Sequence, residues 1–428
     1  TVLRGGVGLF AGFLGERRGD VIQPGYTRTT TRGLTTVPGS GAPIPQVMST
    51  FPTSIVILEP VGNAAGKQTG LGTGISFFNQ TPEVSKQLRY QFGVQRDIGG
   101  GWVGEAIYVG NYGYDIEISR NINALPNQYL NTDNARTAAQ SSRSTALGQA
   151  VANPFQGLAD YAGTSFANAT IARSQLLRPY ANFGDITTSV NDGKSWYNSM
   201  QLSLNKRFDK GYTIGMSYTW SKWLQATEYL NAGDAAPTKM ISDQDTPHRL
   251  SISGIYELPF GRNKMFLSGA NGVVDRLVNG WQIQGVFQYQ VGFPIGFTTD
   301  LFYLGGKISL PKNQRTTERW FNTAAFVNVR DGGTTTTAAP VAHLRTLPFR
   351  FADVRRDNIN DVNLSLIKNT TIKERYRLQF RLELSNAFNE SYFPAPAIGP
   401  TAATFGTIAP SNQDNYARRA QIGIKFLF

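Results

Sequence analysis

Polar and hydrophobic side chains alternate with period two in ten stretches of this chain, and the clearest is the last. From Ala420, the residues Ile422, Ile424, Phe426 and Phe428 share one face with it, while Gln421, Gly423 and Lys425 share the other. Successive side chains of a strand point to opposite sides, so this is a strand with one apolar and one wet surface. A bare strand edge of that kind invites aggregation, and the usual remedy is closure of the sheet into a barrel. The final strand of a soluble sandwich is the competing reading.

The other nine stretches are 1–10, 87–96, 101–115, 195–208, 211–224, 248–258, 280–299, 360–368 and 374–384. In 87–96, for example, Leu88, Tyr90, Phe92 and Val94 oppose Gln87, Arg89, Gln91 and Gln95; in 211–224, Tyr212, Ile214, Met216, Tyr218 and Trp220 oppose Thr213, Gly215, Ser217, Thr219 and Ser221. Most run to about ten residues, the length a tilted strand needs to cross a bilayer. Their connectors alternate in length. Short ones fall at 98–100, 209–211, 259–279 and 369–373, and long ones at 11–86, 116–194, 225–247, 300–359 and 385–415. An outer-membrane barrel keeps every second connection short because its turns face the periplasm and its loops face outside.

Aromatic residues recur at the short-turn ends on the apolar parity: Trp102, Phe208, Tyr212, Trp281, Tyr376 and Phe428. That is the expected form of a girdle at one membrane interface. The long connectors, such as 27–45 and 330–340, are rich in Gly, Thr, Ala and Pro and read as irregular surface loops. A strand rising above the membrane is expected at 20–31, and a helical turn at 273–277. The fold class is therefore all-β: an antiparallel transmembrane β-barrel, here a partial barrel of about ten strands with long extracellular loops.

Composition supports an unusual solvent. Charged residues make up 16% of the 428 residues, against about 25% in a typical soluble domain. The mean hydropathy of -0.26 fits strands in which only alternate residues meet lipid. Without cysteine there are no disulfides or thiolate metal sites. A net charge of +12 is spread along the chain rather than gathered into a basic stripe, so no nucleic-acid partner is expected.

Catalytic equipment is hard to find. Asp243, Asp245 and His248 read first as a polar lead-in to a strand, because a metal site needs a scaffold that fixes its ligands. Residues 62–67 miss phosphate-loop spacing by one residue and carry Gln68 where Ser or Thr is needed. Gly70, Gly72 and Gly74 miss the dinucleotide spacing, and no serine lies in a G-x-S-x-G elbow. No catalytic residue, cofactor or metal is assigned, and the chain is not expected to be an enzyme. On the polar face, Arg89, Arg207, Arg249, Arg377, Arg381 and Lys425 are the lumen-facing candidates. They line a path for an anionic solute or contact acidic groups on a plug, or else are solvated charges paired across neighbouring strands.

The stretches YNSMQLSLNKRFDKGYTIGMSYTWSK (197–222), DTPHRLSISGIYELPFGR (245–262) and YRLQFRLELSNAFN (376–389) resemble the carboxy-terminal barrel of TonB-dependent outer-membrane transporters, with 1–10, 108–126 and the closing QIGIKFLF similar to its Oar-like branch. The resemblance touches nearly all ten strands and few loops. It implies a plugged barrel of about 22 strands, placed in the outer membrane of a Gram-negative cell and driven through TonB. Ten strands leave no room for a plug, so residues 1–428 are expected to be the carboxy-terminal portion of such a barrel, with plug and amino-terminal domains absent and two sheet edges open. The expected partners are outer-membrane lipid, an unknown solute ligand, the TonB complex through upstream segments, and the barrel-insertion machinery. For that machinery the resemblance makes Ile422, Ile424, Phe426 and Phe428 the signal. A passive porin or adhesive surface barrel is the alternative function, and a soluble β-rich hydrolase a remote one.

Overall fold

The computed structural model describes residues 1–12, 25–26, 59–132, 137–338, 342–372, 376–409, 411 and 413–428. Ten strands follow one another in chain order across a single antiparallel sheet: β1 (Val2–Ala11), β2 (Lys86–Gly99), β3 (Trp102–Asn121), β4 (Ile186–Asp209), β5 (Tyr212–Ala226), β6 (His248–Glu257), β7 (Trp281–Gln290), β8 (Ile359–Ile372), β9 (Tyr376–Ser385) and β10 (Arg419–Leu427). Each of the ten alternating stretches of the sequence is one of these strands. Within the described residues β1 pairs only with β2 and β10 only with β9, so the sheet is not closed.

The register shows why alternation was readable. In one row, Tyr218 on β5 faces Leu250 on β6, which faces Tyr289 on β7; in the next, Met216, Ile252, Phe287 and Val362 line up across four strands. Apolar side chains stack on one side of the sheet and Gln, Ser, Thr and Arg on the other. The apolar side is not packed against protein: Leu9, Phe92, Trp220, Ile283, Ile422 and Ile424 all stand exposed. A monomer in water does not leave such an expanse uncovered, whereas a lipid-facing wall requires it. Two tyrosines reshape this wall. Tyr90 lies across Gly110 so closely that a Cβ there would sit 2.1 Å from its ring, and Tyr90 and Tyr108 both donate to the Asn198 side-chain oxygen, at 3.3 and 2.8 Å. They satisfy an amide stranded on the apolar parity.

Three sequence expectations change in detail. The stretch 280–299 ends as a sheet strand at Gln290; Gly292 then packs against the carbonyls of Arg356 and Asp357, where a Cβ would be 2.3 Å away, and Pro294–Gly296 pairs instead with Arg350–Arg355. β3 and β4 run on to 20 and 24 residues, well beyond the 9–11 or so that span a bilayer, so their hairpin projects past the long-loop end. Phe208, exposed beside the turn, falls within a bulge, because the register shifts between Lys206 and Asp209. The residue opposite Trp102 is Lys206, buried and 3.6 Å from Asp209. The helical turn expected at 273–277 is present as Gly272–Val278. The strand expected at 20–31 and the loop 27–45 lie outside the described residues, apart from Gly25 and Tyr26.

The long loops supply the principal buried core, which their composition did not suggest. Ile295, Phe297, Leu301, Trp320, Phe321, Phe326, Val354 and Phe405 pack together from 291–358 and 386–409. Phe297, Phe321 and Phe405 are 0% exposed, with edge-on ring contacts at 5.2 Å (Phe297 to Phe321) and 5.3 Å (Phe321 to Phe405). This cap stands over the long-loop ends of β6 to β9.

Candidate functional site

Below the cap, on the polar side, β3 to β6 bring two cross-strand rows of side chains to one place. Asn111 faces Tyr197, Tyr197 faces Trp223, Gln201 faces Thr219, and Thr219 faces Arg249. With Gln244 and Thr246 from the β5–β6 loop they line a polar cavity of about 450 Å³. The two aromatics meet edge to face at 5.9 Å, and Trp223 Nε1 donates to Ser195 Oγ at 2.8 Å. Side chains locked this way need little reordering on binding.

The loop that closes the cavity is fixed by a buried carboxylate. Asp245 Oδ1 accepts the Trp223 backbone N–H at 2.6 Å. Its Oδ2 accepts from Arg355 Nη2, also at 2.6 Å, and Arg355 Nη1 donates to the Asp245 carbonyl at 2.8 Å. Arg355 belongs to the cap, where the Trp320 indole in turn donates to its carbonyl at 2.8 Å. A second tie, Arg350 to Glu228 at 3.0 Å, fastens the same loop. Nearby, Arg345 donates to the carbonyls of Thr299 and Leu347, each at 2.8 Å, and to that of Phe297. Burial holds the Arg345 guanidinium below its ordinary pKa, opposed by the nearby Asp300 charge. A buried cation bonded to carbonyls fixes loop geometry.

Arg249 reaches the cavity exposed, and no carboxylate lies within ion-pair distance of it among the described residues. Among the described residues no hydrogen-bond partner meets the buried Asn111 Oδ1 there. The cavity therefore offers a guanidinium, amides, hydroxyls and two rings, a set suited to a polar or anionic solute carrying a flat or apolar part.

The remaining sequence candidates do not gather here. Arg377, Arg381 and Lys425 share the polar side at the β9–β10 edge. There Arg381 donates to Gln379 at 2.8 Å and pairs with Glu383 at 3.3 Å, while Gln379 faces Lys425 across the strands. Arg89 donates to Gln87 at 2.6 Å and covers the Phe10 ring. Arg207 is exposed beside the β4–β5 turn. Arg381 thus pairs with a carboxylate on its own strand, Arg89 meets a neutral amide and a ring, and Arg249 meets no carboxylate among the described residues. Ile422, Ile424, Phe426 and Phe428 lie on the exposed apolar side at the free sheet edge.

Asp245 is no lead-in residue but the anchor of the site, and His248 instead contacts the Tyr218 hydroxyl through Nδ1 at 2.8 Å. Among the described residues no group of three His, Cys, Asp or Glu side chains is placed to hold a metal. The sequence reading passed over Asn111, Tyr197, Trp223, Gln244 and Thr246. Tyr197 and Trp223 carried a usable signal, since both are aromatics out of phase with the apolar parity of their strands.

An antiparallel sheet with one exposed apolar side, one polar side and long loops gathered at one end is the wall of an outer-membrane barrel. The chain belongs to the outer membrane beta barrel domain family, whose profile matches residues 1–421, and its location is the outer membrane. No curated protein sequence matches it. Among solved structures it is similar to the outer membrane transporter YddB from Escherichia coli, at 10% identity and a TM-score of 0.36, over 83% of this chain and 34% of that one. It is also similar to the FrpB iron transporter from Neisseria meningitidis, at 11% identity and a TM-score of 0.35, over 83% and 33%. The ferripyoverdine receptor of Pseudomonas aeruginosa matches at 10% identity and a TM-score of 0.35, over 81% and 28%. The chain spans about a third of the length of these structures.

Proposed function

We propose that this chain is the carboxy-terminal barrel portion of a TonB-dependent outer-membrane receptor that captures and imports a solute. The observation that carries the reading is the polar cavity around Arg249, closed by a loop pinned through Asp245 to a cap with its own core. A fixed, cation-bearing pocket at the long-loop end of a barrel wall is built to receive a ligand from outside. The transported solute is then polar or anionic. The free edges of β1 and β10 receive further strands, and a plug and a TonB-contacting segment act from outside these residues.

Conductance in a planar bilayer separates this from a passive pore. The full-length receptor is expected to hold the bilayer closed until its plug is removed, and steady open conductance of the intact protein would overturn the reading. Solute binding is tested by a thermal-shift screen of anionic and neutral compounds, in which any hit is expected to be lost in Arg249→Ala and kept in Arg207→Ala.

A further inference from the structure

The connection between β6 and β7, residues 258–280, is the longest of the short-end turns, and its side chains are arranged inside out. In the helix Gly272–Val278, Val273, Val274 and Leu277 fall within one arc of the helical wheel and are 70%, 52% and 66% exposed. Its carboxylate faces the other way: Asp275 Oδ1 accepts the Arg262 backbone N–H at 2.8 Å. A helix on a protein in water shows the opposite arrangement, with its apolar stripe on the core. Beside it the tight loop 259–267 adds Met265, 80% exposed, and the exposed Phe266, Leu267 and Phe260. The conformation is held rather than loose, because Phe266 N donates to the Pro259 carbonyl at 2.9 Å and the rings of Phe260 and Phe266 lie 5.6 Å apart.

This patch continues the lipid-facing wall. Trp281, on the apolar parity at the start of β7, donates from Nε1 to the Leu277 carbonyl at 2.8 Å. Its cross-strand partner Lys368 turns its ammonium onto the Asn279 carbonyl. Directly above, the paired glycines Gly254 and Gly285 open an apolar hollow of about 560 Å³ in the wall, flanked by Ile214, Ile252 and Phe287. Arg262 and Arg276 are exposed at the margin of the turn. Apolar side chains outward, a membrane-level tryptophan and basic residues at the rim are the elements of a segment lying in a lipid interface.

We infer that residues 258–280 form an interfacial foot, which lays Met265, Phe266, Val273, Val274 and Leu277 into the periplasmic leaflet and sets Arg262 and Arg276 against anionic phospholipid headgroups. The foot fixes how deep this side of the barrel sits and adds a lipid contact that the strands alone do not make.

The chain has no cysteine, so a single engineered one reports one position. Val274→Cys, with Leu277→Cys as a second site should the first fold poorly, is labelled with an environment-sensitive fluorophore in the full-length protein. Measurements are made in phosphatidylglycerol-containing vesicles and in native outer membranes. Blue-shifted emission is expected, with most of it lost to a lipid-borne doxyl quencher and little to aqueous iodide. Lys210→Cys, in the neighbouring β4–β5 turn, is expected to show the reverse. Strong iodide quenching at 274 overturns the inference, and so does shielding from both quenchers in native membranes, which would mean that a protein covers the patch. Arg262→Gln with Arg276→Gln is expected to reduce doxyl quenching in phosphatidylglycerol vesicles and not in zwitterionic ones; no difference between the two lipids removes the anionic preference.

Discussion

Asp245 and Arg355 stand 110 residues apart in the chain and meet at 2.6 Å, with side chains 1% and 9% exposed. The pair joins the loop over the Arg249 cavity to the cap, so the pocket and the cap core are one mechanical unit. Breaking a buried pair from one side leaves an uncompensated charge, at a cost of about 3–5 kcal/mol. Arg355→Met should therefore open the 227–247 loop to limited proteolysis while the strand wall keeps its heat-modifiable migration on gels. Asp245→Leu should be worse, because it also removes the acceptor for the Trp223 N–H. The double variant should recover part of the Arg355→Met loss but not all of it.

The cap can be probed without touching charge. Phe297 is fully buried and contacts Phe321, Phe326 and Phe351. Phe297→Ala should cost the cap about 3–5 kcal/mol. Hydrogen exchange is expected to rise in 291–358 and 386–409 and to stay unchanged in β2 to β5. A uniform rise across all strands would mean that the cap is not a separate core.

How far the sequence revealed this molecule depended on where period-two order held. Leu88, Tyr90 and Phe92, or Tyr376, Leu378 and Phe380, announce their strands because lipid enforces alternation at every second residue. That constraint ends at the membrane boundary. Above it Phe297, Phe321, Phe326 and Phe405 are brought together by irregular chain, where no period marks a buried residue. The count fails for a different reason at the end of β4, where the register shift between Lys206 and Asp209 interrupts the alternation just before the turn. Of the site, Arg249 was legible from its parity. Asp245 was not, since its partner Arg355 lies 110 residues away on the cap strand Arg350–Arg355, outside the main sheet.

Acid should loosen one strap at the long-loop end. Arg178 Nη1 donates to Asp185 Oδ1 at 2.6 Å, and this guanidinium holds the Asp185 carboxyl below its ordinary pKa, with help from Asn121 and against burial. A folded pKa below the unfolded one gives stability that is present above the ordinary carboxylate range and lost as pH falls through the folded value. Asp185 is largely exposed, so the effect is modest. Arg178→Gln is expected to lower exchange protection around Tyr180 and Gly184 at pH 7. By about pH 2–3, below the ordinary carboxylate pKa of about 3.9, the difference from the unaltered protein should shrink towards nothing. A difference that stays constant with pH would show that the pair does not titrate there.

The terminal strand separates recognition from partitioning. Phe426 stacks on Tyr376 at 5.6 Å and on Phe428 at 6.3 Å, while Lys425 opposes Gln379 on the polar side. A charge at the membrane boundary costs only about 0–1 kcal/mol in partitioning, too little to empty the membrane of assembled protein. If Ile422, Ile424, Phe426 and Phe428 are read by the insertion machinery, Phe428→Asp should nevertheless reduce the outer-membrane yield of the full-length protein several-fold. Lys425→Asp should leave that yield near normal. Equal yields for Phe428→Asp and the unaltered protein would remove the signal role. Equal losses for both variants would assign the effect to edge-strand charge rather than to the aromatic face.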